Sequence, residues 1–159
     1  MPTLPQLIEE DIQLIEEVLG ELLEKSEATT ALLIDKGGFL IASLGDSRKF
    51  DLTTIAALAS GAYMANQTIA NLVHEDNFNS VYQQGEKNSM FVLCVDEHCL
   101  LSIIFKAQVS VGLVKYYATP AVARIAGQLQ AAQQRDPSGG LDLSVLNMAD
   151  THELFKRKN

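Results

Sequence analysis

Leu4, Leu7, Ile8, Ile12, Ile15, Val18, Leu19, Leu22 and Leu23 recur at three- and four-residue intervals, with glutamates filling the opposite side. This spacing predicts an amphipathic helix reaching about residue 26, opened by Thr3 and Gln6 as a capping box with Pro5 in the first turn. The period then shortens. Residues 29–35 and 39–44 are β-rich runs separated by Lys36-Gly37-Gly38, whose glycines can supply the positive φ that a tight hairpin needs. Asp51 is placed to cap a second helix reaching about residue 75. Residues 77–84, 89–95 and 99–105 read as three more strands, joined by Gly85-Glu86-Lys87-Asn88 and Asp96-Glu97-His98. Ser110 caps a last helix to about residue 134, and Pro120 is expected to kink it or to mark a second start after Thr119.

The order is α-β-β-α-β-β-β-α, an α+β arrangement. Residues 90–95 and 100–105 are apolar without alternation, so both faces of those strands need cover. They belong at the sheet centre, with helices on each side. Asp136-Pro137-Ser138-Gly139-Gly140 is turn and linker chemistry, and the residues after it are too few to build a core. The chain is therefore expected to hold one domain over residues 1–135 and a tail over 136–159, flexible or partner-binding.

Residues 52–73 contain no charge, a length that suggests a membrane span. Thr53, Ser60, Asn66, Gln67, Thr68 and Asn71 are too many polar groups for a lipid core, and no membrane insertion is expected. Ile55, Leu58, Ala62, Ala65, Ile69 and Leu72 form the apolar side expected to face inward. The other side collects Thr53, Ala56, Ala57, Ser60, Gly61, Met64, Gln67 and Asn71. A wetted helix face normally carries Lys and Glu, so this one is expected to be covered by protein, either a partner or another part of the chain. Ala57, Gly61 and Ala65, four residues apart, would let a second backbone come close.

The strand over residues 77–84 begins a meander and so can lie at a sheet edge. It has no charge or proline to block pairing with another chain. Phe78, Ser80, Val81 and Tyr82 on it are the expected contacts of a homodimer whose two sheets join there, since one patch can serve both subunits.

Charge removes one class of partner. Twelve basic against twenty acidic residues give −8, which argues against nucleic acid. Residues 1–27 hold eight of the acids against Lys25 alone, read as a solvated helix face or a dock for a basic surface. Cys94, His98 and Cys99 offer only three zinc-type ligands in strands that would bury both thiols, so no metal is expected. No leader is visible, and the cytoplasm is the default. There is no phosphate-cradling Gly-x-x-x-x-Gly-Lys-Ser/Thr, no Gly-x-Ser-x-Gly elbow, and His74, His98 and His152 are scattered, so stand-alone catalysis and a bound cofactor are not expected.

Leu33-Ile34-Asp35-Lys36-Gly37-Gly38-Phe39-Leu40-Ile41-Ala42, the helix with Ala59-Ser60-Gly61 and Ala70-Asn71-Leu72, and then Phe78 and Gly85-Glu86 resemble the roadblock family of dynein light-chain-like proteins. The likeness spans residues 5–134 and is greatest to the family's MglB-type branch, bacterial regulators of the Ras-like GTPase MglA. It implies a five-stranded antiparallel sheet with the second helix on one face and the terminal helices on the other. It also implies a cytoplasmic homodimer, able to be recruited to a cell pole, that activates a Ras-like small GTPase in polarity or motility without an arginine finger. The GTPase would meet Ser60, Gly61 and Met64, with Ala57 and Gln67 beside them, and the tail would touch it separately through Leu154 and Phe155. Arg48 is the only arginine near that face. Two alternatives stay open: a dimeric adaptor that tethers a GTPase or other partner without changing its rate, and a small-molecule sensor. The dense apolar strands leave the sensor little room for a pocket.

Overall fold

The computed structural model describes residues 4–46 and 48–135, so the tail contacts expected at Leu154 and Phe155 lie outside the described residues. The elements are α1 (Glu9–Ser26), β1 (Thr30–Asp35), β2 (Leu40–Gly45), α2 (Leu52–Leu72), β3 (Ser80–Gln83), β4 (Asn88–Cys94), β5 (Cys99–Lys106) and α3 (Val111–Gln134). The strands form one antiparallel sheet in the order β2-β1-β5-β4-β3. β5 is central and buried from Cys99 to Phe105, as its unbroken apolar run requires.

Side chains alternate across the sheet and divide the core in two. Leu33 pairs with Leu101, Ala31 with Ile103, and Phe91 with Ile103 from the other side. This face packs against Ile15, Leu19 and Leu22 of α1 and Val114, Ile125 and Leu129 of α3. Leu32, Ile34, Leu100, Ile104 and Val92 point the other way and meet Leu52, Ala56, Ala59 and Tyr63 of α2. The result is the α+β layering expected, with α2 alone on one face.

Two glycines are fixed by geometry. Gly38 closes the β1–β2 turn at φ +98°, and Gly45 ends β2 at φ +110°, where a Cβ would lie 2.1 Å from the Thr29 carbonyl oxygen.

The strand expected over 77–84 is confined to Ser80–Gln83, which leaves Phe78 in the segment before it, and two helix boundaries differ from expectation, each for a local reason. The first helix begins at Glu9 instead of near Pro5, because the Asp11 carboxylate accepts the Ile8 amide at 2.8 Å and caps it there. The second ends at Leu72, where His74 at φ +60° turns the chain out and the Glu75 amide closes on the Ala70 carbonyl. Pro120 neither restarts the last helix nor ends it. It sits on the exposed side of α3, so the Tyr116 carbonyl it leaves without a helical donor faces water.

Candidate functional site

α2 starts where Asp51 accepts both the amide of Thr54, at 3.2 Å, and its hydroxyl, at 2.6 Å. From that cap the helix lies on the sheet through small side chains. Ala56, Ala59, Ser60, Tyr63 and Ala70 are buried, and Tyr63 donates to Asn77 Oδ1 at 3.3 Å. Burial, ahead of its Cys94 neighbour, pushes the Tyr63 phenol up. Lys36 stacks its ammonium over the same ring, 5.4 Å from the centroid.

The inward face is therefore not the one its hydrophobicity suggests. Leu58, Ile69 and Leu72, expected inside, are 68%, 48% and 76% exposed, and Ala62 and Ala65 are not part of the buried contact either. The real contact uses alanines because a small side chain lets the helix axis approach a sheet already filled by Leu32, Ile34, Leu100 and Ile104.

Of the five residues expected to meet a partner, the structure brings three together. Ala57, Gly61 and Met64 share one exposed stripe at four- and three-residue spacing. Ser60 is buried, and its hydroxyl donates to the Lys36 carbonyl, tying α2 to the β1–β2 turn. Gln67 is half-buried and donates to the Phe78 carbonyl at 3.2 Å, tying α2 to the segment before β3. Ser60 is thus withdrawn from the outer surface, and Gln67 keeps only part of its side chain on it. Ser60→Ala is expected to lower stability by about 1–2 kcal/mol, because it leaves a carbonyl without its donor, and to leave the oligomeric mass unchanged. Urea denaturation and light scattering would check this.

The two outer sides of α2 have different neighbours. Ala59, Ala62 and Asn66 look across a shallow groove to Val81, Gln83 and Met90, so the Leu58-Ala62-Ala65-Ile69 side is continuous with β3. β3 is an outer strand of the sheet, as expected, with Ser80 and Val81 half-buried and Tyr82 exposed. On the other side a Cβ at Gly38 would touch the Ala57 Cα at 3.5 Å, so the β1–β2 turn adjoins the Ala57-Gly61-Met64 stripe. That turn carries Phe39, 72% exposed and unnoticed in the sequence because its run read as ordinary strand. Arg48 is exposed in the loop before α2.

The β4–β5 turn carries no such surface. Asp96 Oδ1 accepts the amides of His98 and Cys99 at 2.8 Å each, Cys99 is buried, and its burial pushes the thiol up to about 12. Among the described residues no group of three or more His, Cys, Asp or Glu side chains is placed to hold a metal ion. No helix among them is long and apolar enough to cross a membrane.

A five-stranded sheet bearing α1 and α3 on one face and the uncharged, outward-exposed α2 on the other defines an α+β domain of the roadblock type. Residues 14–105 match the model of the Roadblock/LC7 domain, and the chain belongs to that family. No curated protein matches it by sequence. Among solved structures it is similar to an MglB with tetrameric arrangement, at 30% identity over 83% of this chain and 99% of the other, TM-score 0.77. It is also similar to the gliding protein MglB from Thermus thermophilus, at 30% identity over 82% and 99%, TM-score 0.76. Myxococcus xanthus MglB matches at 29% over 74% and 95%, TM-score 0.71. Acanthamoeba castellanii profilin IA, at 11% identity and TM-score 0.50, shares the fold alone.

Proposed function

We propose that this chain is a cytoplasmic homodimer that binds a Ras-like small GTPase of the MglA type and accelerates its GTP hydrolysis, serving bacterial cell polarity or motility. The observation that carries this is the outer surface of α2, where no residue from Leu52 to Leu72 is charged although half the helix faces outward. Likeness to MglB proteins at about 30% identity over most of the chain supplies the class of partner.

The two sides of α2 suggest a division of labour. Leu58 and Ile69 would pack with Phe78, just before β3, and with the β3 edge at Ser80, Val81 and Tyr82, against a second copy. Ala57, Gly61 and Met64, with Phe39 beside them, would receive the GTPase. Such a surface brings no charge to the transferring phosphoryl group, so it would act by binding one conformation of the GTPase better than others. Recruitment to a cell pole would follow from the partner.

Light scattering at micromolar concentration should give twice the chain mass. Ile69→Asp should give the single-chain mass, since it buries a charge in the proposed dimer contact. Single-turnover hydrolysis by an MglA-type GTPase, with and without this protein, tests the regulatory half. Binding without a change in rate would replace activation by tethering, and a monomeric parent chain would overturn the dimer.

A further inference from the structure

We propose that the seam between the end of α1 and the start of α3 is a docking site for an acidic extended peptide, a segment of a partner protein that carries carboxylates beside an apolar or aromatic side chain. The two helices leave there an open hollow of about 710 Å³, with Lys25, Lys115, Tyr116, Tyr117 and Pro120 in its lining. It lies on the layer opposite α2, so it does not rest on the GTPase reading and does not compete with the surface proposed for it.

Charge sets the sign of the occupant. The protein carries a net charge of −8, yet this hollow is lined by two cations and no carboxylate. Lys25 and Lys115 are both exposed, and neither belongs to an ion pair among the described residues. Glu24 and Glu27 stand near Lys25 in sequence without lining the hollow. Glu21, in the adjoining hollow, is held by Arg124 at 2.7 Å, and the first turn of α3 brings no acid. The carboxylates that would answer Lys25 and Lys115 therefore have to come from outside.

The rest of the lining narrows the occupant from an anion to a peptide. Tyr116 is 72% exposed and meets Tyr117 edge to face, with 5.0 Å between ring centroids. Tyrosine suits a protein contact because it adds a large amphipathic surface while losing little conformational freedom. Pro120 has no amide hydrogen, so the Tyr116 carbonyl, four residues back, lacks its helical donor and is open to one from another chain. A sulfate or phosphodiester offers only acceptors and leaves that carbonyl unmatched. A peptide brings carboxylates to the lysines, an apolar side chain to the tyrosines and a backbone N–H to the carbonyl. The hollow is too open to enclose a small molecule, but an extended chain can lie along it.

Random peptides about twelve residues long, displayed on phage, would be selected on the full-length protein and counter-selected on Lys25→Glu with Lys115→Glu. They should converge on sequences with several Asp or Glu residues beside Tyr, Phe or Leu. A selected peptide carrying a fluorescent label should lose about tenfold in affinity by anisotropy when both lysines are reversed, and a similar factor with Tyr116→Ala. Pro120→Ala returns an amide to the helix and occupies the Tyr116 carbonyl, so it should weaken the peptide about threefold while the fold holds or gains stability. Adhesion by charge alone would not register that last change. Because all four positions are exposed, urea midpoints no lower than the parent's would separate lost binding from lost structure. Selection that returns no acidic sequences overturns the proposal, as does a peptide indifferent to the lysine reversal. Displacement of the peptide by millimolar sulfate would assign a simple anion site instead. A drop in molecular mass by light scattering on lysine reversal would make a second copy the occupant and overturn it equally.

Discussion

Gly61→Arg should reduce affinity for the GTPase at least a hundredfold and remove its stimulated hydrolysis, while the protein stays folded. A Cβ built on Gly61 meets no atom within 4 Å, so the arginine side chain has open space at its root. Replacing glycine in the middle of a helix also favours the helix by about 0.8 kcal/mol. The loss would therefore arise at the interface, where a long charged side chain must be desolvated without a partner, and a hundredfold corresponds to about 2.7 kcal/mol. Ser60→Arg is a poor substitute, because Ser60 is buried against the Lys36 carbonyl and the change would damage the fold. Arg48→Ala, made beside it, should leave stimulated hydrolysis within about twofold of the parent. If Gly61→Arg stimulates normally, the GTPase does not dock on α2. If Arg48→Ala abolishes stimulation, an inserted arginine replaces the conformational mechanism.

The same helix shows where sequence reading succeeds and where it stops. Element order, the Asp51 cap, the place of β3 at the edge and the central position of β5 are written in local patterns: turn residues, a capping aspartate and an apolar run without alternation. The absence of charge on α2 was equally legible, because it is a property of composition. Which of its sides turns inward was not. Hydrophobicity favours Leu58, Ile69 and Leu72 as core, but the sheet beneath is already filled with leucine and isoleucine, and close approach selects Ala56, Ala59 and Ser60. That choice depends on the volume of side chains far away in sequence. Phe39 is not singled out by its local pattern, and Gln67 is read on the outer face without its bond to the Phe78 carbonyl, for the same reason: what folds beside each sets its place.

By spacing alone Asp11 is one more acid on a solvated helix face, but the structure makes it the most deeply placed charge among the described residues. Its carboxylate is fully buried and accepts the Ile8 amide at 2.8 Å, Gln128 Nε2 at 2.7 Å and two Arg135 N–H groups at 2.9 Å. The Arg135 hydrogen bonds are the largest influence and, with Ile8 and Gln128, outweigh burial, holding the carboxyl at about 2 against an ordinary 3.8. A carboxyl depressed on folding stabilises the folded state fully above its unfolded value, and that contribution disappears as pH falls from about 4 through about 2. Nearly two units correspond to about 2.5 kcal/mol. Asp11→Ala should cost about 3 kcal/mol at pH 7, toward the lower end for a broken buried pair, because Arg135 is partly exposed and can return to water. Urea midpoints should show a wide gap between parent and variant at pH 7 that narrows at pH 2.5, where the parent's carboxyl is becoming protonated. A gap of equal width at both values would assign the loss to packing instead of charge. The exposed pair of Arg124 and Glu21, only 2.7 Å apart, should show no comparable effect when Glu21 is replaced by glutamine, because water already solvates both partners. The contrast isolates burial as the reason that one ion pair, and not the other, holds the end of α3 to the start of α1.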